Sequence, residues 1–182
     1  MTAVLGVDPG KTGAMARYSD AHDSLEILDM PTLVVAKGKK TVTRIDAVAL
    51  AFRLQQLASR GLDLIVLEQP MAMPGQNSAS VFDIGRSFGM IEGIIGTLKI
   101  RCEIAHPAAW KRTMKCGAAK DSSIARATQL LPQHAQLWPL KKHADRCEAA
   151  LLALYGIEHL LPRADFRPSR TDGAAGKGTT PS

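Results

Sequence analysis

Two short apolar runs, each followed by an acidic residue, constrain the fold of this chain more than any other feature. The first covers residues 3–7 and precedes Asp8, and the second covers residues 62–67 and ends on Glu68. Apolar runs this short, bounded by turn residues, are typical of strands that are buried on both faces. Both runs therefore predict interior strands of an α/β core, each of which delivers a carboxylate at its carboxyl end.

The remaining patterns predict the other elements of one mixed sheet and its flanking helices. Strands are expected at 13–18, 25–30 and 100–105, and helices at 47–60, 80–98, 107–115, 121–131 and 144–161. This order predicts an α/β fold with a five-stranded mixed sheet, in which the first three strands are antiparallel. Residues 1–162 are expected to form one domain. Residues 163–182 carry few apolar side chains and are expected to be a disordered basic tail.

Composition excludes several classes of protein. No apolar run approaches the roughly 18 residues of a membrane span, and the first residues do not resemble a secretory leader. The three cysteines are odd in number and form no Cys-x-x-Cys pair, which argues against a disulfide framework or a zinc finger. The formal net charge is +6. We therefore expect a cytoplasmic protein with an anionic partner, most simply a nucleic acid.

Four carboxylates are expected to meet at one place if the strands that precede Asp8 and end on Glu68 are neighbours. Asp8 and Glu68 follow strands, and ligand sites in open α/β sheets lie beyond the carboxyl ends of strands. Asp145 and Glu148 are three residues apart on the last helix and share one face. Taken singly, an Asp-Pro-Gly turn and acids in a first helical turn are usually structural. Together, they require cations if they stay ionised in a cleft, and oxygen ligands favour Mg²⁺ or Mn²⁺.

Five segments carry a resemblance to a known family. They are LGVDPGKTG at 5–13, IVLEQPMAM at 65–73, NSASVFDIGRSFG at 77–89, HPAAWKRTMKCGAAKDSS at 106–123 and ADRCEAALLAL at 144–154. In this order they resemble the RuvC-type Holliday junction resolvases of the RNase H-like superfamily. Two positions depart from that family: Glu148 stands where Asp is commoner, and Met71 replaces an aromatic residue. The departures and the long tail suit a phage or prophage variant.

The resemblance implies a function and a site. Asp8, Glu68, Asp145 and Glu148 would be the ligands of two Mg²⁺ or Mn²⁺ ions in a phosphodiesterase, and Lys111 would lie near the scissile phosphate as a catalytic residue. A homodimer would make paired symmetric nicks in a four-way junction and leave 5′ phosphate and 3′ hydroxyl ends. Two alternatives stay open: a broader RNase H-like debranching or flap nuclease, and a catalytically weak junction-binding protein. Whether a branch-migration motor is a further partner is also left open.

Candidate DNA contacts and a candidate dimer interface complete the prediction. Basic residues cluster at 36–44 and 99–120, where they can bind phosphates or simply be solvated. The DNA-binding candidates are Lys39, Lys40, Met71, Gln76, Asn77, Lys111, Arg112, Lys115 and Lys120. Gly85, Gly89 and Gly93 recur at four-residue spacing in a helix, which indicates close approach of another backbone. That backbone can belong to a second subunit or to the sheet.

Overall fold

The computed structural model describes residues 2–117 and 119–161, apart from the side chain of Lys120. The expected tail at 163–182 lies outside the described residues. The strands are β1 Ala3–Val7, β2 Ala14–Ser19, β3 Ser24–Asp29, β4 Thr32–Lys37, β5 Lys40–Ile45, β6 Leu64–Glu68 and β7 Cys102–Ala105. The helices are α1 Ala47–Ala58, α2 Ser78–Thr97, α3 Pro107–Thr113, α4 Lys120–Leu130 and α5 Ala144–Tyr155.

The main sheet has five strands in the order β3-β2-β1-β6-β7. β1, β2 and β3 are antiparallel, whereas β6 is parallel to β1 and β7 is parallel to β6. The predicted five-stranded mixed sheet is thereby confirmed. Every residue of β1 and β6 is buried, because α5 covers one face of the sheet and α1 and α2 cover the other. Val4 packs on the α5 side, and Leu5 and Val7 pack towards α1 and α2.

In addition to the predicted sheet, β4 and β5 form a separate two-stranded antiparallel sheet that was not predicted. We call this hairpin, residues 32–45, the basic ribbon. Val34, Val35 and Val42 flank a two-residue turn in which Gly38 has a φ of 62°. β-Branched residues around such a glycine are typical of a hairpin. Only the charge of this segment was interpreted from the sequence, and its two strands were not predicted.

Helix ends differ slightly from the expected bounds. α2 begins at Ser78 because the side chain of Asn77 caps it, accepting a hydrogen bond from the Ser80 amide at 2.9 Å. α3 ends at Thr113 rather than at residue 115. α5 ends at Tyr155 and continues as a π-helical turn at Gly156–Leu160. Among the described residues, no helix is both long and apolar enough to cross a membrane.

Close packing of α5 on β1 requires glycine at position 6. A Cβ atom on Gly6 would lie 2.1 Å from the Ala149 carbonyl oxygen and 2.6 Å from the Ala153 amide nitrogen. We expect Gly6→Ala to lower the free energy of unfolding by about 2–3 kcal/mol, because backbone atoms must move apart. Urea denaturation measures this change.

The matched control for that substitution is Gly96→Ala. A Cβ atom there meets no described atom within 4 Å, so alanine should raise the free energy of unfolding by at most about 1 kcal/mol through helix propensity. Equal stability of the two variants would contradict the close approach of α5 to β1.

Candidate active site

The sheet places two carboxylates side by side. Asp8 directly follows β1 and Glu68 ends β6, and these neighbouring parallel strands pair Val7 with Leu67 at their carboxyl ends. α5 crosses the same edge with its amino-terminal turns, which carry Asp145 and Glu148. Three segments that are distant in the chain therefore deliver acidic side chains to one edge of the sheet.

The carboxylates form a compact and nearly buried cluster. One oxygen each of Asp8, Glu68 and Glu148 lies within 4.8 Å of the others. The exposed fractions are 9% for Asp8 and Glu68, 8% for Glu148 and 7% for Asp145. Asp145 is close enough for its charge to act on Asp8, although it is not a member of the tight group of three. The expected convergence is thus geometrically present, with Asp145 at its margin.

Each carboxylate is oriented by a hydrogen-bond donor. The Gly10 amide donates to Asp8 Oδ1 at 3.0 Å, and the Trp110 indole Nε1 donates to Glu68 Oε1 at 2.9 Å. The Thr12 hydroxyl donates to Asp145 Oδ2 at 2.7 Å. Glu148 Oε1 accepts from the Ser123 hydroxyl at 2.7 Å and from Lys111 Nζ at 2.8 Å. These donors hold the acids in one arrangement before any ligand binds.

Three of these donors were missed by the sequence analysis as functional residues: Thr12, Trp110 and Ser123. Trp110 and Ser123 are both 0% exposed. A buried indole N–H or hydroxyl needs a hydrogen-bond partner. The only signal in the sequence was that a buried indole or hydroxyl needs a hydrogen-bond acceptor. That signal does not identify which carboxylate is the acceptor.

Burial and the charges of the neighbouring acids shift Asp8 and Glu68 towards their protonated forms. The pKa of Asp8 rises from 3.8 to about 7, mainly because the side chain is buried, with further increases from the charges of Glu68, Asp145 and Glu148. The Gly10 amide opposes this rise. Burial also raises the pKa of Glu68, against the lowering effect of the Trp110 hydrogen bond. The cluster is therefore costly to ionise without a cation.

Lys111 is the positive charge at this cluster. Burial lowers its pKa, but the hydrogen bond and charge of Glu148 outweigh burial and leave the pKa above its usual value. The ammonium also lies 5.3 Å from the centre of the Trp110 ring. Lys111 is consequently charged at neutral pH and neutralises one of the four acids.

The donor set fits a divalent cation of the hard class. Mg²⁺ and Mn²⁺ prefer carboxylate oxygens, and three such oxygens lie close enough together to share an ion. The raised pKa values of Asp8 and Glu68 indicate that an added positive charge would be stabilising here. Asp8, Glu68 and Glu148 are the residues that could hold the first ion, and Asp145 is the nearest further acid.

The structure separates the other predicted DNA contacts into groups. Met71 is 50% exposed, so it does not fold back onto the core. Gln76 and Asn77 both have local roles, because Gln76 Oε1 accepts from the Met73 amide at 3.0 Å and Asn77 caps α2. The basic candidates whose side chains are described are solvent-exposed, apart from Lys111: Lys39, Lys40, Arg112 and Lys115. Lys120 begins α4, and its side chain lies outside the described residues.

The alternative role of the α2 glycines, close packing against the sheet, is not observed among the described residues. A Cβ atom on Gly85, Gly89 or Gly93 would meet no described atom within 4 Å. Apolar side chains are exposed on the same pair of helices, including Phe52 on α1 at 60% and Phe82 on α2 at 70%. This outer surface of α1 and α2 is open to solvent in the isolated chain.

Two cavities adjoin the carboxylates. One of about 350 Å³ runs from Asp8 and Glu68 to the apolar side chains of Met71, Ile84 and Phe88. The other, of about 260 Å³, lies beside Thr12 and is lined by Lys11, Asp29, Met30, Lys142, His143 and Arg146. The Arg146 guanidinium is paired with Asp29 at 2.6 Å. The acidic edge of the sheet is thus bordered by a partly apolar hollow and by a basic one.

The strand order and the flanking helices define an RNase H-like fold. Residues along 86% of the chain superimpose on 95% of Thermus thermophilus RuvC in complex with a Holliday junction substrate, with a TM-score of 0.57 and 13% identity. Thermus thermophilus RuvC is also matched by a second structure, with a TM-score of 0.48 and 16% identity over 86% of this chain and 95% of that one. The fowlpox virus Holliday junction resolvase gives 0.43 and 14%, over 86% of this chain and 99% of that one. The chain matches no protein-family model, and no curated protein matches its sequence.

Proposed function

We propose that this chain is a divalent-metal-dependent endonuclease that resolves four-way DNA junctions. The observation that carries the proposal is the cluster of Asp8, Glu68, Asp145 and Glu148 at the carboxyl edge of an RNase H-like sheet. Support for the substrate comes from the RuvC structure with the same fold, which is bound to a Holliday junction substrate, and from the motifs that resemble that family.

In the proposed chemistry, the cations act on the water and the phosphate, and the chain supplies the ligands that hold the cations. When bound, divalent cations supply an activated water and neutralise charge on the scissile phosphate and the leaving 3′ oxygen, giving 5′ phosphate and 3′ hydroxyl ends. Asp8, Glu68, Asp145 and Glu148 are the proposed ligands, and we propose two ions per site. The Mg²⁺ and Mn²⁺ ions are equally compatible with an all-oxygen donor set.

The neighbours of the acids have positioning roles in this proposal. Trp110 holds Glu68, Thr12 holds Asp145, and Ser123 holds Glu148, each through the hydrogen bond described above. Lys111 Nζ contacts the Glu148 carboxylate in the free chain. When DNA and cations bind, Lys111 would contact a phosphate oxygen instead, because carboxylate and phosphate are both anions that an ammonium group binds. Fixed donors and ligands keep the reacting groups in place without reorganisation.

We further propose that the protein acts as a homodimer through the open surface of α1 and α2. A four-way junction has two equivalent strands to cut, and a twofold dimer presents two equivalent sites. The surface offers exposed Phe82, one turn before Gly85 on α2, and exposed Phe52 on the neighbouring helix α1. Glycines on an outer helical face allow a partner backbone to approach closely.

A bulky residue at the centre of this glycine row should separate the subunits. We expect Gly89→Leu to fold with at least normal monomer stability, since no described atom lies within 4 Å of a Cβ atom placed there. The variant should be monomeric by light scattering at concentrations where the wild type is dimeric. On a supercoiled plasmid with a cruciform, its main product should change from linear DNA to nicked circles.

The control for this experiment is Gly96→Ala, on the same helix, which should leave the dimer intact. A dimeric Gly89→Leu protein that still makes linear DNA would contradict the proposed interface. That result would not contradict the proposed metal site, because the metal site and the dimer interface are tested by different measurements.

The proposed substrate is tested with end-labelled four-way, three-way, flap and RNA–DNA hybrid substrates in Mg²⁺. Resolution requires paired nicks in the four-way junction, at a rate well above that on the other substrates. Equal cutting of every branched substrate would instead identify a debranching nuclease. Binding without cutting would identify a junction-binding protein and reject the enzyme.

A further inference from the structure

The basic ribbon projects from the catalytic edge of the sheet. β3 ends at Asp29, which pairs with Ala14 at the start of β2, close to the turn that follows Asp8. The Met30 amide then donates to the Gly13 carbonyl at 2.9 Å, and the Asp46 amide donates to the Pro31 carbonyl at 2.9 Å. Met30 and Ile45 are buried in the core and anchor the two ends of the hairpin. The ribbon is therefore rooted beside the carboxylates.

Beyond these anchors the ribbon stands apart from the main sheet. Within the described residues, β4 and β5 pair only with each other, and Val34 is 68% exposed. Each strand has six residues, so the ribbon extends about 20 Å at ~3.3 Å per residue. Two-stranded ribbons of this size fit into the major groove of a DNA duplex.

One face of the ribbon carries most of its charge. Cross-strand partners share a face, and the pairs are Lys37 with Lys40 and Leu33 with Arg44. Lys39 occupies the turn between the strands. Residues 30–45 contain no acidic side chain. A row of cations without acids suits a polyanion and does not suit a second copy of the same basic surface.

A basic hollow borders residues next to both the carboxylates and the ribbon. Thr12, Lys11, Met30 and Lys142 are among the residues that line this 260 Å³ cavity. Thr12 holds Asp145, and Met30 begins the segment that leads into β4. Positive side chains are thus present along the path from the cluster to the ribbon.

We propose that the basic ribbon grips one duplex arm of the bound junction, several base pairs from the strand exchange point. Its length of about 20 Å corresponds to roughly six base pairs at ~3.4 Å each. The contacts are to phosphates and fix the direction of the arm, and they carry no base sequence information. This inference rests on the proposed function, because it takes branched DNA as the substrate.

The experiment is hydroxyl-radical footprinting on a four-way junction with arms of about two helical turns, or roughly 20 base pairs. The full-length Asp8→Asn protein is the parent, so that the junction stays uncut. K37Q/K40Q is added to this parent to remove two charges from the ribbon. The control adds K99Q/R101Q, two charges at the amino end of β7, on the opposite edge of the sheet from the carboxylates.

We expect the parent to protect the exchange point and a patch about six base pairs along an arm. K37Q/K40Q should lose the arm patch, keep protection at the exchange point, and lower the slope of log affinity against log salt by about two. K99Q/R101Q should keep both protected regions. An unchanged footprint in K37Q/K40Q, or an equal loss in the control, would overturn the inference.

Two further outcomes are separable. A parent that protects neither region, together with a wild type that cuts no junction, would defeat the proposed function and this inference with it. In the second outcome, the wild type cuts junctions, and K37Q/K40Q has an unchanged footprint but an altered mass by light scattering. This outcome would show that the ribbon joins subunits, and it would overturn only the inference.

Discussion

Replacing Asp8 with asparagine is expected to lower the rate of junction cleavage by at least about a thousandfold, or roughly 4 kcal/mol of transition-state stabilisation. Asp8 is one of three carboxylates whose oxygens lie within 4.8 Å of one another. Asparagine has the same shape and can accept the Gly10 amide hydrogen bond, but it lacks the charge that holds a divalent cation. Single-turnover cleavage of a labelled four-way junction in Mg²⁺ measures the loss.

The matched control is Asp83→Asn. Asp83 lines the cavity beside the cluster, but it lies on α2 and is not one of the grouped acids. Its substitution should change the cleavage rate by much less than the Asp8 substitution. If both variants lost a comparable part of the cleavage rate, cleavage would depend on negative charge near the cavity in general. That result would contradict a specific role of the carboxylate cluster.

The second large effect is a pH dependence of stability in the metal-free protein. Asp8 has a pKa of about 7 in the folded chain and 3.8 as its ordinary value, so the folded state binds the proton more tightly than the unfolded state. The contribution of Asp8 to stability is complete below about pH 4 and is lost as pH rises to about 7. Three pKa units correspond to about 4 kcal/mol. Urea denaturation in the presence of a chelator, from pH 5.5 to 8, should therefore show decreasing stability.

Apart from Glu68 and His143, this pH range isolates Asp8 from the other groups with shifted pKa values. The pKa of His143 is lowered from 6.5, so His143 acts in the opposite direction to Asp8. The pKa of Asp29 is lowered by its hydrogen bond with Arg146, so its contribution is already complete above the ordinary pKa. The raised pKa of Lys111 affects stability only at strongly alkaline pH. Glu68, whose pKa is also raised, acts in the same direction as Asp8.

The Asp8→Asn variant is the control for this prediction as well. Its metal-free stability should vary less with pH and should exceed that of the wild type at pH 8, because no charge is buried at position 8. Mg²⁺ should raise the stability of the wild type at pH 8 more than that of the variant. A wild type that becomes more stable between pH 5.5 and 8 without metal would contradict the described electrostatics.

The interior strands and their terminal acids could be predicted from the sequence because they depend on local patterns. Residues 3–7 and Leu64–Glu68 are almost uniformly apolar, and only a buried strand accommodates such short runs. Their side-by-side position was a condition of the sequence prediction, and the structure pairs β1 with β6 in parallel. The proximity of Asp8 and Glu68 is a consequence of that pairing.

The donors around the acids could not be predicted in the same way. Trp110 reaches Glu68 across 42 positions and Thr12 reaches Asp145 across 133, and neither contact leaves a periodic pattern in the sequence. The basic ribbon is a different case. Its β-branched residues and Gly38 were visible, but its position beside the carboxylate edge of the sheet depends on the register of β2 and β3, which only the structure provides.

The isosteric variant Glu68→Gln tests the central claim most directly. Glutamine keeps the carbonyl oxygen that accepts the Trp110 indole hydrogen bond, so the fold and the position of the side chain should be preserved. With Mg²⁺ and a labelled four-way junction, we expect paired nicks from the wild type and none from Glu68→Gln in single-turnover conditions. Full cleavage by a folded Glu68→Gln protein would contradict catalysis by metal ions held in this carboxylate cluster.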